Sequence, residues 1–217
     1  MKKELQKRIF SSLFIIPIAL LFLIQGSVYF SFFLCILFLA TSYEWVKMNK
    51  KNDLIKVLGV IFLIFSFYSA YDLRNYAGLN SFLLIILICI FTDIGGYIFG
   101  KIFKGPKLTK ISPNKTYSGV VGSFIVSLII VGTYINYKID INFFFGYNLV
   151  TLVFILLISF VSQLGDLIIS YFKRKARVKD TGKILPGHGG LLDRIDGMIF
   201  AFPFSYVILS TNMLQNS

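Results

Sequence analysis

Residues 81–100 read S-F-L-L-I-I-L-I-C-I-F-T-D-I-G-G-Y-I-F-G. A helix that crosses the hydrocarbon core of a bilayer needs about 20 predominantly apolar residues. This run has that length and carries one ionisable side chain, Asp93. Working outward, further apolar runs occupy 9–27, 28–44, 54–71, 118–136, 148–172 and 197–214. The expectation is an all-α, polytopic transmembrane helix bundle of about seven spans, forming one integral membrane domain over 1–217. The spans at 28–44 and 54–71 are short. The first two are parted only by Gln25, Gly26 and Ser27, which predicts a tight hairpin. No A-x-A cleavage site follows the basic N-terminal run, so the first span reads as an uncleaved anchor.

Composition agrees. The chain is 56% hydrophobic and 15% charged, against about 25% charged in soluble domains. Its 24 Phe and 12 Tyr suit lipid-facing surfaces and interfacial belts. Cys35 and Cys89 both fall within apolar runs, which argues against a disulfide or a zinc site and for small core residues.

The net charge of +12 would suggest nucleic acid in a soluble protein. Here twenty of the 22 Lys and Arg fall in four segments: the N-terminus, 45–56, 101–117 and 173–196. Arg74 and Lys138 lie in the alternate loops. With seven spans, the four rich segments share one side. Positive loops mark the cytoplasm, so the N-terminus and the long loops are expected there, in a bacterial-type inner membrane. Nucleic acid is not an expected partner.

Asp93 and Asp166 lie within expected spans, about one to three turns from their cytoplasmic ends. A carboxylate in hydrocarbon costs about 2.5–3.5 kcal/mol on insertion scales, which makes each a functional-site candidate. The alternative is a structural pair holding helices together. Ser162, Gln163 and Asp166 share a helix face. Gly95, Gly96 and Gly100 give the fourth span a small-residue face that permits close helix approach.

The segment from Ser170 to Gly197 holds seven Lys or Arg, three Asp and the only His. Asp193 and Asp196, three apart, share one face if the last helix begins near Leu191. Mg²⁺ takes oxygen ligands, usually one or two carboxylates plus substrate phosphates. Lys173, Arg174, Lys179 and Arg194 can neutralise phosphate oxygens. Asp180 follows Lys179 directly. Gly189 and Gly190 allow close backbone approach. Lys175 and Arg177 read as headgroup anchors. His188 as a turn residue and Asp196 as a helix cap are bland alternatives. In the other long loop Ser112, Lys115 and Thr116 offer hydrogen bonds to a triphosphate, with a merely solvated basic loop as the alternative.

The pattern S-x-F-K-R-x4-K-D-x-G-x2-L-P-x-H-G-G-L-x-D-R-I-D over 170–196 resembles the signature of the phosphatidate cytidylyltransferase (CDP-diacylglycerol synthase) family. Leu5 to Ile9, Tyr43-Glu44-Trp45, the block from Asp93 to Gly100, Ser112 to Thr116, and Ser162 to Asp166 are similar to other parts of it. The resemblance covers nearly the whole chain. It implies transfer of CMP from CTP to phosphatidate, giving CDP-diacylglycerol and pyrophosphate in phospholipid biosynthesis. It further implies Mg²⁺ held by Asp166, Asp193 and Asp196 with Asp93, and a catalytic set completed by Lys179, Asp180, His188 and Arg194. Phosphates and nucleotide would fall to Ser112, Lys115, Thr116, Lys173, Arg174, Gly189 and Gly190. His188 would position rather than act as a base, because phosphatidate is already ionised. A homodimer is also implied.

Two departures stand out. Ser118 occupies a position where the family has Glu, so any role of that Glu is moved or lost. The chain is also shorter than bacterial members between residues 46 and 80, which predicts fewer spans. Among competing readings, a CDP-alcohol phosphatidyltransferase lacks its D-G-x2-A-R pattern here, since Met198 and Ile199 follow Asp196-Gly197. A CTP-dependent polyprenol kinase is separated by its product. A cation transporter would spread charges through the bilayer depth, and an inactive scaffold would make no CDP-diacylglycerol.

Overall fold

The computed structural model describes residues 17–137, 149–185, 187 and 189–215. The start of the first expected span, residues 138–148 and His188 lie outside the described residues. Among the described residues each expected span coincides with a helix over most of its length. α1 is described over 17–25, followed by α2 (Ser27–Met48), α3 (Asp53–Tyr76), α4 (Gly78–Phe103), α5 (Tyr117–Tyr137), α6 (Leu149–Lys175), α7 (Leu192–Ile195) and α8 (Met198–Gln215). Five of them, α2 to α6, are long and apolar enough to cross a membrane. The described apolar part of α8 is shorter, Met198–Ser210. The protein is an integral membrane helix bundle.

The second and third helices, expected to be short, run for 22 and 24 residues. Polar side chains ended the apolar runs without ending the helices. Asn52 caps α3, its side chain accepting from the Ile55 amide at 3.1 Å. α2 continues through Glu44 because that carboxylate finds buried partners, described below.

Gly26, at φ 65°, joins α1 to α2 as the expected tight turn. Arg74 reaches across to it: Nε donates to the Leu23 carbonyl at 3.1 Å and Nη2 to the Ile24 carbonyl at 3.5 Å. Those carbonyls end a helix and lack intrahelical partners, which gives this isolated cation its place.

Exposed Ile, Leu, Val and Phe cover the outside of most helices. Against lipid, burying them gains little, so association rests on close packing. A central cluster built on Leu84, Ile85, Ile88, Ile155 and Ile158 is fully buried. The small-residue face of α4 packs against α5 as its glycines predict. A Cβ on Gly95 would stand 2.6 Å from the Gly122 carbonyl oxygen, and one on Gly119 would stand 2.8 Å from that of Gly96. Cys89 is buried in the core, whereas Cys35, expected there too, is exposed in an open groove between α2 and α3.

The last helix does not begin near Leu191 and run on. α7 makes one turn, and α8 starts afresh at Met198. Gly197 sits at the break, where a side chain would strike Ser162 of α6. The Asp196 carboxylate accepts from the Gly197 amide at 3.0 Å.

Candidate active site at the lysine-rich end

The loops after α2, α4 and α6 meet at one end of the bundle. The loop between α4 and α5 folds on itself: Lys107 and Thr116 form an antiparallel bridge, and the Lys115 amide donates to the Ser112 carbonyl at 3.1 Å. Pro113 sits inside that turn, where its fixed φ fits. Thr116 Oγ1 accepts from the Gly119 amide at 3.1 Å, capping α5. Arg174 Nε donates to the Ile111 carbonyl at 3.2 Å and ties this loop to α6.

These elements enclose a cavity of about 400 Å³. α4 contributes Thr92, Asp93, Gly96 and Tyr97, and α5 contributes Gly119, Val120 and Ser123. The α4–α5 loop brings Ser112, Asn114, Lys115 and Thr116. α6 supplies Gln163, Asp166 and Lys173, and the segment after it Asp180, Asp193, Arg194 and Asp196. Five carboxylates and three cations therefore face one space at the ends of helices that are otherwise apolar.

Their partners differ. Lys115 Nζ pairs with Asp166 Oδ2 at 2.6 Å and also approaches the Gln163 carbonyl at 3.4 Å. Ser170 Oγ donates to the other Asp166 oxygen at 3.2 Å. Lys173 Nζ pairs with Asp193 Oδ1 at 2.8 Å, both side chains nearly buried. Asp193 Oδ2 accepts from the amides of Thr181 (2.8 Å) and Gly190 (3.2 Å). Asp196 is buried and in hydrogen-bonding contact with Asp166. Burial and the Asp166 carboxylate push the Asp196 carboxyl well above the usual carboxylate range. Two carboxyls in contact need a proton or a cation between them.

Most expected site residues are thus brought together. Asp93, Asp166, Asp180, Asp193, Arg194 and Asp196 share the cavity with Ser112, Lys115, Thr116 and Lys173. Lys179 is exposed and is not part of its wall. Arg174 ties the α4–α5 loop to α6 instead of lining the space. Gly189, at φ +86°, bridges Leu185 and lies against Asp180, while Gly190 packs on Thr181 and Glu44. His188 lies outside the described residues. Ser118 is not in the cavity wall; its hydroxyl donates to the Lys104 carbonyl and sits 3.0 Å from Thr116 Oγ1.

Sequence reasoning did not single out Tyr97, Asn114 or Ser123 as lining residues, nor Glu44 behind the loop. Tyr97, Asn114 and Glu44 fall inside the blocks that carry the family resemblance, Asp93 to Gly100, Ser112 to Thr116 and Tyr43 to Trp45, and that was the available signal. The buried Gln163 Nε2 has no partner, although Gln163 lines the cavity. Among the described residues no three His, Cys, Asp or Glu form a ready-made metal cage. Mg²⁺ held by one or two carboxylates and substrate phosphates requires none. The Asp166–Asp196 contact, with Asp93 on the same cavity, is a donor set of hard oxygens that suits such a cation.

A family model described as the cytidylyltransferase family matches residues 54–212. The chain is 36% identical over 179 residues to a phosphatidate cytidylyltransferase of Staphylococcus saprophyticus, covering 79% of this chain and 66% of that protein. It is 37% identical to one of Staphylococcus haemolyticus over the same shares. A phosphatidate cytidylyltransferase of Rickettsia felis is 31% identical over 218 residues, covering 95% of this chain and 93% of that protein. The chain thus spans about two thirds of the staphylococcal relatives' length.

Proposed function

Since this chain belongs to the cytidylyltransferase family, we propose that it transfers CMP from CTP to phosphatidate in the membrane, forming CDP-diacylglycerol and pyrophosphate. The observation that carries the proposal is the single cavity in which Asp93, Asp166 and Asp196 face Lys115, Lys173 and Arg194 at the end of lipid-facing helices. One phosphatidate phosphate oxygen attacks the α-phosphorus of CTP. The α–β bridging bond breaks and pyrophosphate leaves with its electron pair. Such transfers depend on positioning and charge neutralisation more than on covalent protein chemistry.

Lys115, Lys173 and Arg194 lie where phosphate oxygens would enter, and Ser112 and Asn114 offer neutral hydrogen bonds beside them. Asp166 and Asp196, with Asp93, would hold Mg²⁺, while Asp193, nearly buried, has its oxygens already engaged. Bound there, Mg²⁺ would neutralise charge developing on the triphosphate. Lys115 is the residue whose partner changes: it leaves Asp166 for a phosphate as the cavity fills. No side-chain base is required, because phosphatidate arrives ionised. CTP is water-soluble, so the lysine-rich end faces the cytoplasm, and in a bacterium the membrane is the inner one. A homodimer is the assembly the family resemblance suggests.

The test uses purified protein in detergent with CTP, phosphatidate and Mg²⁺, and detects the lipid product by mass spectrometry. CDP-diacylglycerol from the wild type, none from Asp196→Asn and none with excess EDTA is the expected outcome. Folded wild-type protein that makes no such lipid would reject the reading.

A further inference from the structure

Glu44 lies in α2, far in sequence from the cavity, and does not line it. Its carboxylate is 1% exposed and is filled by donors from the segment that carries Asp193, Arg194 and Asp196. Oε1 accepts from the Leu191 amide at 3.1 Å, and Oε2 from the Leu192 amide at 2.9 Å. Thr181 Oγ1 lies 3.0 Å from Oε2 and 3.1 Å from Asp193 Oδ2. Its one proton serves one of the two at a time, so the hydroxyl joins both carboxylates. Among the described residues no Lys or Arg lies within ion-pair distance of Glu44. The carboxylate is satisfied in its buried place by hydrogen bonds from two backbone amides and a hydroxyl.

The surrounding backbone is shaped to it. A side chain at Gly182 would collide with Glu44 Oε1, and one at Gly190 would collide with Thr181 Oγ1 and crowd Glu44 Oε2. Below it, Trp45 Nε1 donates to the Ile55 carbonyl at 3.1 Å and its ring packs edge-on against Phe172 of α6. Glu44 is therefore fixed by α2, α3 and α6 while gripping the turn that starts α7. Leu191 and Leu192 precede Asp193 directly, so a shift of their amides moves Asp193 and Arg194 with them.

We propose that Glu44 is a positioning residue for the reaction, acting through Leu191, Leu192 and Thr181 to hold Asp193, Arg194 and Asp196 in the cavity wall. The proposal rests on the functional reading above. Glu44→Gln is nearly isosteric, but it places an NH₂ where an acceptor is needed and faces it toward a donor. Glu44→Asp keeps the charge but withdraws it by one methylene.

The experiment compares wild type, Glu44→Gln, Glu44→Asp and Thr181→Val in detergent. It measures thermal midpoint, kcat and KM for CTP, and amide hydrogen exchange resolved by peptide. The expectation for Glu44→Gln is a kcat fall on the order of 10–100-fold, the range seen when an orienting partner is lost, with KM for CTP moving far less. Exchange should accelerate over 181–196 and stay unchanged over α4 and α5. Glu44→Asp should recover part of kcat, and Thr181→Val should show the same pattern more weakly. Wild-type kcat and exchange in both Glu44→Gln and Thr181→Val would overturn the proposal. So would a lower thermal midpoint with kcat of the folded fraction unchanged. If Glu44→Gln does not fold, Thr181→Val decides by the same two criteria. Wild type that makes no CDP-diacylglycerol would reject the functional reading, while the exchange data would still show whether Glu44 holds the segment.

Discussion

Asp193 has a partner for each oxygen: Lys173 on one, the Thr181 and Gly190 amides on the other. Asp196, three residues on, is buried against Asp166. Asparagine at the two positions should therefore act in opposite senses on stability. Asp193→Asn strands Lys173, and removing one partner of a buried pair costs about 3–5 kcal/mol. It should lower both thermal midpoint and activity. Asp196→Asn replaces a carboxyl that burial and Asp166 already hold toward its neutral form, so the midpoint should hold or rise while activity falls by on the order of 100-fold or more, the scale of several kcal/mol of lost charge stabilisation. Midpoint and product formation measured on the two purified variants check this; an Asp196→Asn variant as unstable as Asp193→Asn would contradict it. Asp93 and Asp166 were legible because an ionisable group in an apolar run demands a reason, and Asp193 and Asp196 because of their three-residue spacing in the charged loop. Glu44 was not read as part of the site although it meets the first criterion, because its partners lie 137 to 148 residues away. No local spacing carries that information.

The α4–α5 seam shows what glycine does within an element. A Cβ at Gly119 meets the Gly96 carbonyl at 2.8 Å, whereas at Gly78 it meets nothing within 4 Å but the backbone has φ +84°. Gly119→Val should therefore cost about 1–3 kcal/mol through overpacking and reduce activity, because Gly119 also lines the cavity. Gly78→Ala should cost about 1 kcal/mol through backbone conformation and leave kcat unchanged. Thermal unfolding in detergent beside product formation separates the two; equal losses of kcat would sink the distinction. At this scale hydropathy located each long described helix, because about twenty apolar residues leave few other options. It drew α2 and α3 too short, since Glu44, Lys47 and Asp72 are polar yet helical. It also missed the break between α7 and α8. That break answers to Ser162 on another helix, which sequence order does not reveal.

Three lysine-rich loops converge at one end through Glu44, the Arg174–Ile111 bond and the Lys115–Asp166 pair, while Arg74 closes the α1–α2 turn at the other. α8 runs the full distance between those ends even though its described apolar part is short. It starts beside Asp196, passes Tyr68 of α3 with Tyr206 at 6.1 Å, and has Ser210 lining the same cavity as Asp72 and Tyr76. The expectation that α8 is a further crossing element rests on this lateral packing along α3 and not on apolar length alone. The proposed orientation, with the lysine-rich end in the cytoplasm, rests on the charge asymmetry, because Lys- and Arg-rich loops tend to stay there. Single cysteines introduced into a chain lacking Cys35 and Cys89 test both conclusions. Lys110→Cys should resist a membrane-impermeant thiol reagent in intact cells and react in inverted vesicles. Tyr76→Cys and Ser210→Cys should show the reverse. Labelling of Lys110→Cys in intact cells would invert the protein and place the proposed nucleotide site on the wrong side for CTP. Opposite behaviour of Ser210→Cys and Tyr76→Cys would mean that α8 does not cross beside α3.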